Sequence, residues 1–195
     1  PFGNYLSFHD TMSIKGSYTL HPRSGLFLQI IKTLRYSFEN KGWINKIGLR
    51  NKGIDYGLQH YRPEKDIISI AIMNHDEIKE FKQKIPDDVN LELNISCPNT
   101  EKHLINQELQ CFLNDSRRWC ILKVSPLCKM IEIDEYYQQG FRQFHCSNTL
   151  PVENGGLSGP TLIPLTLRLV KKISKKYPDV EIIAGGGVRN KATAD

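Results

Sequence analysis

Residues 89–99 read VNLELNISCPN, and this stretch decides how the rest of the chain is interpreted. Apolar and polar side chains alternate with a period of two along residues 89–96, which predicts a strand. The strand ends before Pro98, and Cys97 lies at that end between polar neighbours. A thiol in such a place serves as a base or nucleophile where its surroundings lower its pKa. The alternative is a small buried residue at the end of a strand.

Strand and helix patterns alternate along the chain from residue 66 onward. Asn74 is expected to cap a helix that has Asp76 and Glu77 in its first turn, where carboxylates suit the helix dipole. Repeated strand–helix units predict parallel strands joined by right-handed crossovers. Both an open doubly wound sheet and a closed barrel fit this order. The predicted strands are residues 12–18, 66–73, 89–96, 119–125, 141–148 and 180–184, and the later predicted helices are residues 104–114, 130–139 and 161–177.

Polar residues and glycines at the strand ends decide between the two architectures. Side chains gathered from the carboxyl ends of several strands are typical of the top face of a (β/α)8 barrel, the TIM barrel. We therefore predict an α/β chain that forms a single TIM-barrel domain over residues 1–195. The strand-end residues are Lys15, Asn94, Cys97, Lys123, Asn148 and the glycines at 185–187.

The predicted barrel is incomplete, because the eighth strand–helix unit is absent. The first helix is also shortened, since only residues 6–11 separate the first strand, residues 2–5, from the strand at 12–18. The chain is therefore interpreted as part of a longer protein.

The composition argues against several other classes of protein. With 195 residues, 24% charged and 39% hydrophobic, the chain is typical of a globular domain. No apolar run approaches the roughly 20 residues of a membrane span. The net charge is +5, and the densest group of basic residues lies on the predicted helix at 161–177. The same helix has an apolar stripe of Leu165, Leu169 and Ile173. The basic group is therefore interpreted as a solvated face rather than a nucleic-acid site. The five cysteines show no metal or disulfide spacing, which favours a reducing cytosol.

The segment NISCPN at 94–99 resembles the active-site segment of the dihydroorotate dehydrogenase family. Six further segments match that family in the same order, so the resemblance covers nearly the whole chain. It implies a TIM barrel that binds FMN and oxidises dihydroorotate to orotate in de novo pyrimidine biosynthesis. A base removes a proton from one ring carbon, and a hydride leaves the neighbouring carbon for flavin N5. The further segments are IKGS at 14–17, INKIGL at 44–49, LKVSP at 122–126, SNT at 147–149, GGLSG at 155–159 and AGGGV at 184–188.

The resemblance implies a role for each matched residue near the substrate. Cys97 is the general base, and a cysteine there is typical of the soluble members of the family. Lys15 is implied both in catalysis and in substrate binding. An asparagine amide offers a donor and an acceptor, which pair with the N–H and C=O edge of a pyrimidine, although a single asparagine is usually a turn or cap residue. The implied substrate contacts are Lys15, Asn45, Ile47, Gly48, Leu49, Asn94, Asn99, Asn148 and Thr149.

The resemblance also implies which residues contact FMN. Lys123 lies within an apolar strand, where a buried ammonium is costly unless an anion such as reduced flavin compensates its charge. The alternative is a lysine that extends out of the strand end. Glycines let backbone N–H groups approach a phosphate closely, and no metal site is expected. The family also uses the turn after the eighth strand, which this chain lacks. The implied FMN contacts are Gly16, Ser17, Asn94, Lys123, Ser158, Gly159, Gly186 and Gly187.

Two other functions stay open at this point. One is a related flavin reductase that acts on another pyrimidine, such as uracil, and the other is a non-catalytic, degenerate copy. The electron acceptor is open among fumarate, quinone, and NAD reached through an iron–sulfur partner subunit. The NAD route needs a second chain, because the cysteines here are not spaced to hold an iron–sulfur cluster. A homodimer is a further arrangement found in the family, but no interface is apparent in the sequence.

Overall fold

The computed structural model describes residues 11–95 and 107–188. These residues form two compact units, each built from separate stretches of the chain. The first unit comprises residues 11–24, 49–95 and 107–122, and the second comprises residues 25–48 and 123–188.

The two units contain parallel and antiparallel strands with helices between them. In chain order the elements are β1 (Ser13–Tyr18), α1 (Leu26–Thr33), β2 (Arg35–Ser37), β3 (Gly42–Asn45), α2 (Ile54–Gln59), β4 (Asp66–Ile70), α3 (Glu77–Lys84), β5 (Leu91–Asn94), a 3₁₀ helix (Leu109–Phe112), β6 (Cys120–Val124), α4 (Met130–Gln138), β7 (Gln143–Cys146), β8 (Leu150–Val152), β9 (Gly155–Ser158), a second 3₁₀ helix (Pro160–Leu162), α5 (Ile163–Lys176) and β10 (Glu181–Ala184). None of the helices in the described ranges is long and apolar enough to cross a membrane.

The first unit is built on parallel strands in the order β1-β4-β5-β6. Every residue of β4 and β5 is buried, which is typical of parallel strands that are covered on both faces. The strand predicted at residues 89–96 is confirmed over β5. Its polar side chains are not on a solvated face, however, because Glu92 and Asn94 are buried like the leucines between them. Buried polar groups require hydrogen-bond partners, and these partners define a polar cluster inside the unit.

The segment before α3 carries the Asn74 bond that the sequence predicts, but the regular helix starts later than expected, with Asp76 as its N-cap residue. Asn74 Oδ1 accepts a hydrogen bond from Glu77 N (3.2 Å), and the Glu77 carboxylate accepts one from Met73 N (2.8 Å). These reciprocal bonds satisfy backbone donors at the helix start. The regular helix α3 then buries Ile78 and Phe81.

The sequence predicts an α-helix over residues 104–114, and in the described part of that range residues 107–108 are α-helical before the helix changes type. Residues Leu109–Phe112 form a 3₁₀ helix, in which the first and last side chains are both buried. A 3₁₀ helix repeats every three residues and so brings positions i and i+3 to the same side. That spacing matches the two apolar residues that pack into the core.

The second unit contains the parallel pair β7 and β10, together with an antiparallel sheet in the order β2-β3-β9-β8. No pattern in the sequence predicts the antiparallel sheet. Its strands have three or four residues, and three of the four include glycine or proline, which weakens a strand pattern. Residues 156–159, whose glycines predict a phosphate-binding loop, form a strand as far as Ser158, because Gly155–Ser158 is strand β9.

Helix α5 confirms the helix predicted at residues 161–177, with one change in its buried face. Two of the three predicted core residues are buried, but Leu165 is only half-buried and Thr166 takes its place. The Thr166 hydroxyl donates to the Gly185 carbonyl oxygen (3.0 Å) and lies 2.9 Å from the Ser147 hydroxyl. A polar side chain is buried here because neighbouring polar groups satisfy it.

Candidate functional site

Four polar side chains of the first unit form a hydrogen-bonded chain across three parallel strands. Asn94 Nδ2 donates to Ser17 Oγ (2.8 Å), Ser17 Oγ lies 2.8 Å from Ser69 Oγ, and Ser69 Oγ donates to Glu92 Oε1 (2.7 Å). Ser69 and Glu92 are register partners in β4 and β5, which places their side chains side by side. We call these residues the β1-β4-β5 polar chain. The chain thus brings together two predicted FMN contacts, Asn94 and Ser17. Asn94 is also a predicted substrate contact.

Gly16 allows β1 to approach β4 beside this polar chain. Its backbone has φ +118°, and a Cβ atom at this position would lie 2.4 Å from the Ser69 carbonyl oxygen. Any side chain would therefore separate the two strands as well as strain the backbone. The packing of β1 against β4 therefore requires glycine at position 16, independently of the FMN contact predicted for this residue.

Lys15 lies elsewhere than the sequence analysis places it. It is the third residue of β1 rather than an end residue, and its Nζ is 2.8 Å from Asp66 Oδ2. Asp66 is the first residue of β4, and its buried carboxylate also accepts bonds from Arg62 Nη2 (2.8 Å) and Nε (3.0 Å). The Lys15 ammonium is held near the amino end of β4 because a buried carboxylate there requires cationic partners.

The pKa of Asp66 reflects this arrangement. Burial acts to raise the pKa, but hydrogen bonds from Arg62 and Lys15 outweigh burial and hold it below its usual value. A lowered pKa in the folded state stabilises the protein above the unfolded pKa of about 4, and this contribution is lost as pH falls through the folded value.

We expect Asp66→Asn to lower the free energy of unfolding by about 2 kcal/mol at neutral pH, because two cations lose their carboxylate partner. The difference from the unsubstituted protein should shrink below about pH 4, where the carboxylate becomes protonated. Urea unfolding across this pH range measures both effects. Asp55→Asn is the control, since Asp55 pairs with Lys84 on the surface (2.8 Å) and its loss should change stability little. A constant difference at all pH values would contradict the role given to the Asp66 charge.

Within the first unit, Asn51 fixes the backbone of residues 49–53, a role that no sequence pattern predicted. Asn51 Nδ2 donates to the Leu49 carbonyl oxygen (2.7 Å), and Oδ1 accepts from Gly53 N (2.8 Å) and Thr19 N (3.2 Å). Leu49, a predicted substrate contact, has φ +54°, a left-handed conformation that is unusual without such support. The only signal in the sequence was an amide two residues after the matched segment.

Other predicted substrate contacts lie on the antiparallel sheet of the second unit. Asn45 ends β3, opposite Gly156 of β9, and its Oδ1 accepts a bond from Ile47 N (3.4 Å). Gly48 follows with φ +70° and open space around it. A Cβ atom at Gly156 would lie 2.6 Å from Thr149 Oγ1, so the Thr149 side chain packs against this glycine. Asn45 and Thr149 therefore flank the same glycine of β9.

Lys123 and Asn148 also lie close to one another in the second unit. Lys123 is half-buried within β6, whereas the neighbouring strand residues are buried. Asn148 N donates to the Val124 carbonyl oxygen (3.2 Å), which holds Asn148 beside the end of β6. These two predicted contacts come from the carboxyl ends of consecutive strands, where barrel enzymes gather functional groups.

The two predicted phosphate-binding segments meet at the start of a helix. Gly187 has φ +83°, and a Cβ atom there would lie 2.8 Å from the Gly159 carbonyl oxygen. A Cβ atom at Gly186 would lie 3.0 Å from Leu162 Cδ2. Gly159 and its neighbour Ser158 directly precede the 3₁₀ helix that leads into the fourteen-residue helix α5. Backbone N–H groups and the positive end of the helix dipole favour an anion at such a place.

Cys97 and Asn99 lie outside the described residues. Of the cysteines that are described, burial raises the pKa of Cys120 to about 11 and that of Cys146 to about 12. These two thiols stay protonated at neutral pH and are poor candidates for a base. Among residues 11–95 and 107–188, no group of three or more His, Cys, Asp or Glu side chains is arranged to hold a metal ion.

Comparison with known proteins agrees with these features. A family model described as dihydroorotate dehydrogenase matches residues 6–115. The chain is 30% identical over 218 residues to the catalytic subunit of dihydroorotate dehydrogenase B (NAD(+)) from Thermotoga maritima, covering 96% of this chain and 78% of that protein. The protein of the same name from Staphylococcus carnosus is 27% identical over 192 residues, covering 82% of this chain and 63% of that protein.

A solved structure with a similar fold is that of dihydroorotate dehydrogenase from Eimeria tenella in complex with ferulenol. Its TM-score is 0.62 at 18% identity, covering 94% of this chain and 64% of that chain. This likeness confirms the predicted α/β fold of TIM-barrel type, in an incomplete form. Because the family model spans more than half of the residues and the Thermotoga maritima relative is covered over 78% of its length, the chain belongs to the dihydroorotate dehydrogenase family, a family of oxidoreductases.

Proposed function

We propose that the protein oxidises dihydroorotate to orotate with FMN as the hydride acceptor, as a step of pyrimidine synthesis. The observation that carries the proposal is Asn94, a buried amide at the carboxyl end of β5 that is held by Ser17 and followed three residues later by Cys97. A held donor–acceptor group three residues before a candidate base in the sequence suits a substrate whose ring carries amide groups.

In this proposal each side chain has one task. Cys97 takes the proton from the ring carbon, and the substrate's polar edges are bound by the amides of Asn45, Asn94, Asn99 and Asn148. Ile47, Gly48, Leu49 and Thr149 belong to the same proposed substrate site. Lys15 stays in the proposed catalytic set, with its bond to Asp66 as the contact that it would exchange for the substrate.

The residues of the second unit fit the phosphate of FMN. Gly187 lies so close to the Gly159 carbonyl that a side chain at position 187 would fill the space between them. Gly159 directly precedes the helical segment 160–176, and Gly187 packs against the start of that segment. Ser158, Gly159, Gly186 and Gly187 would hold the phosphate. The proposed contacts of the flavin ring are Gly16, Ser17, Asn94 and Lys123. When bound, the flavin supplies the acceptor for the hydride.

We propose further that electrons pass to NAD through a partner subunit. The relatives from Thermotoga maritima and Staphylococcus carnosus are named as catalytic subunits of an NAD(+)-type enzyme, which supports this acceptor over fumarate or quinone. A homodimer of the catalytic chain, a single FMN-binding domain over residues 1–195 and a cytoplasmic location complete the proposal.

An anaerobic absorbance spectrum tests the function directly. The purified protein is saturated with FMN, freed of excess cofactor and mixed with dihydroorotate. We expect a flavin spectrum that bleaches on addition of substrate, because the hydride reduces the bound flavin. Bleaching by dihydrouracil but not by dihydroorotate would replace the substrate with another pyrimidine. A protein that retains no flavin, or whose flavin neither substrate reduces, would contradict the proposed reaction.

A further inference from the structure

The carboxylate of Glu92 is buried within the first unit and has no task in the proposed reaction. It lies two residues before Asn94 on the same strand, and its side chain is fully inaccessible to solvent. The hydroxyl of Ser69 donates a hydrogen bond to Glu92 Oε1 (2.7 Å). A buried carboxylate is costly unless hydrogen-bond donors compensate its charge, and the Ser69 hydroxyl is one such donor.

Hydroxyl groups carry one proton each, and this fixes the direction of every bond in the β1-β4-β5 polar chain. The Ser69 proton points to Glu92, so the short contact between Ser69 and Ser17 (2.8 Å) requires the Ser17 hydroxyl to donate. The Ser17 oxygen then has only lone pairs to offer. It accepts from Asn94 Nδ2 (2.8 Å), which is the bond that the structure shows.

We propose that Glu92, acting through Ser69 and Ser17, fixes the orientation of the Asn94 amide and thereby selects the edge that Asn94 presents to its ligand. If the amide rotated by half a turn, Oδ1 would face the Ser17 oxygen, which has no proton to give. Two acceptors would then meet in a buried place, which is unfavourable. Glu92, Ser69 and Ser17 are positioning residues in this inference, which rests on the proposed role of Asn94 in binding the substrate.

The chemical consequence concerns the pairing of amide edges. A cyclic amide in the ligand presents a C=O and an N–H in a set order, and Asn94 matches that order in one orientation only. An amide free to rotate would spend part of its time in the mismatched orientation and would bind the ligand less tightly. The ligand class is therefore a ring with adjacent amide donor and acceptor groups, such as orotate.

The test compares Ser69→Ala and Glu92→Gln with the unsubstituted, FMN-loaded protein. Ser69→Ala interrupts the chain, and Glu92→Gln replaces an obligate acceptor by an amide that also donates and so permits the reversed chain. We expect either variant to raise the orotate dissociation constant about tenfold while the bound FMN content stays unchanged. Ser13→Ala is the control, because Ser13 lies on β1 at the position paired with Asp66 and outside the polar chain.

A double-mutant cycle shows whether Ser69 acts through Asn94. In an Asn94→Ala background, Ser69→Ala should have no further effect on orotate binding, since the amide that it positions is gone. Additive effects of the two substitutions would overturn the inference. In the protein without ligand, the side-chain ¹⁵N–¹H signals of Asn94 should shift in Ser69→Ala but not in Ser13→Ala. Unchanged Asn94 signals in Ser69→Ala would likewise overturn it.

These readouts separate the inference from the proposed function. If dihydroorotate fails to bleach the unsubstituted protein, the proposed reaction is wrong, whereas the Asn94 signals still report on the amide orientation. If the unsubstituted protein is bleached but both variants bind orotate as it does, only the inference is wrong.

Discussion

Cys97→Ala retains bound FMN but slows the reduction of that flavin by dihydroorotate about 10²- to 10⁴-fold, the usual contribution of a positioned general base. The methyl group of alanine cannot accept a proton, so the ring carbon must lose its proton to water while the hydride leaves. Binding should change far less than the rate, because the asparagine amides that would hold the ring remain. Rapid-mixing absorbance under anaerobic conditions measures the reduction rate, and an orotate titration measures binding.

A second cysteine provides the matched control for Cys97. Cys128 is half-buried after β6, and its substitution by alanine removes a thiol from a place outside the proposed site. Cys128→Ala should reduce its flavin at the unsubstituted rate. If Cys97→Ala also did so, the base would have to be another residue, and the assignment of NISCPN as the catalytic segment would fail.

Arg117→Met lowers the free energy of unfolding by about 3 to 5 kcal/mol. The guanidinium is buried and donates to the carbonyl oxygens of Pro86 (2.9 Å), Val89 and Phe112. Methionine fills a similar volume but leaves the buried carbonyls of Val89 and Phe112, and the partly buried carbonyl of Pro86, without these donors. Each buried group left unsatisfied costs about 1 to 3 kcal/mol. Urea unfolding measures the loss as a lower midpoint with an unchanged slope.

The neighbouring Arg118 makes a close control, because its side chain is exposed and its centre lies 5.5 Å from the ring of Trp119. Arg118→Met should change stability by well under 1 kcal/mol, as surface substitutions usually do. Arg117→Lys should recover little, since an ammonium is a point donor and cannot serve three carbonyls spread around a planar fork. Equal stability of the Arg117 and Arg118 variants would show that the three bonds contribute nothing.

The position of Arg117 also connects stability with the proposed site. Two of its partners, Pro86 and Val89, lie in the segment that leads into β5, and the third, Phe112, ends the 3₁₀ helix. β5 and that helix lie on either side of residues 96–106 in the sequence, the range that contains Cys97. One buried side chain therefore holds the two elements from which the segment of the proposed base departs.

Several features of the fold were predictable because they depend on neighbouring residues alone. Alternation along residues 89–96 predicted β5, the amide and carboxylate at Asn74 and Glu77 predicted helix α3, and apolar spacing predicted α5. Local periodicity and capping are properties of short stretches, so they can be read without knowing the rest of the chain. The ordered motifs also identified the family.

The sequence by itself thus determined the parallel strands and the helices that alternate with them from residue 66 onward, and it named the residues that we propose for the site. The tertiary structure alone decided which side chains meet. It paired Lys15 with Asp66, buried Thr166 in place of Leu165, and joined β3 to β9, a strand more than 100 residues away in the chain, in one antiparallel sheet. It also turned Glu92 inward to Ser69 and so gave the amide of Asn94 one direction. Such choices depend on the burial of polar groups among distant residues, and no local pattern contains that information.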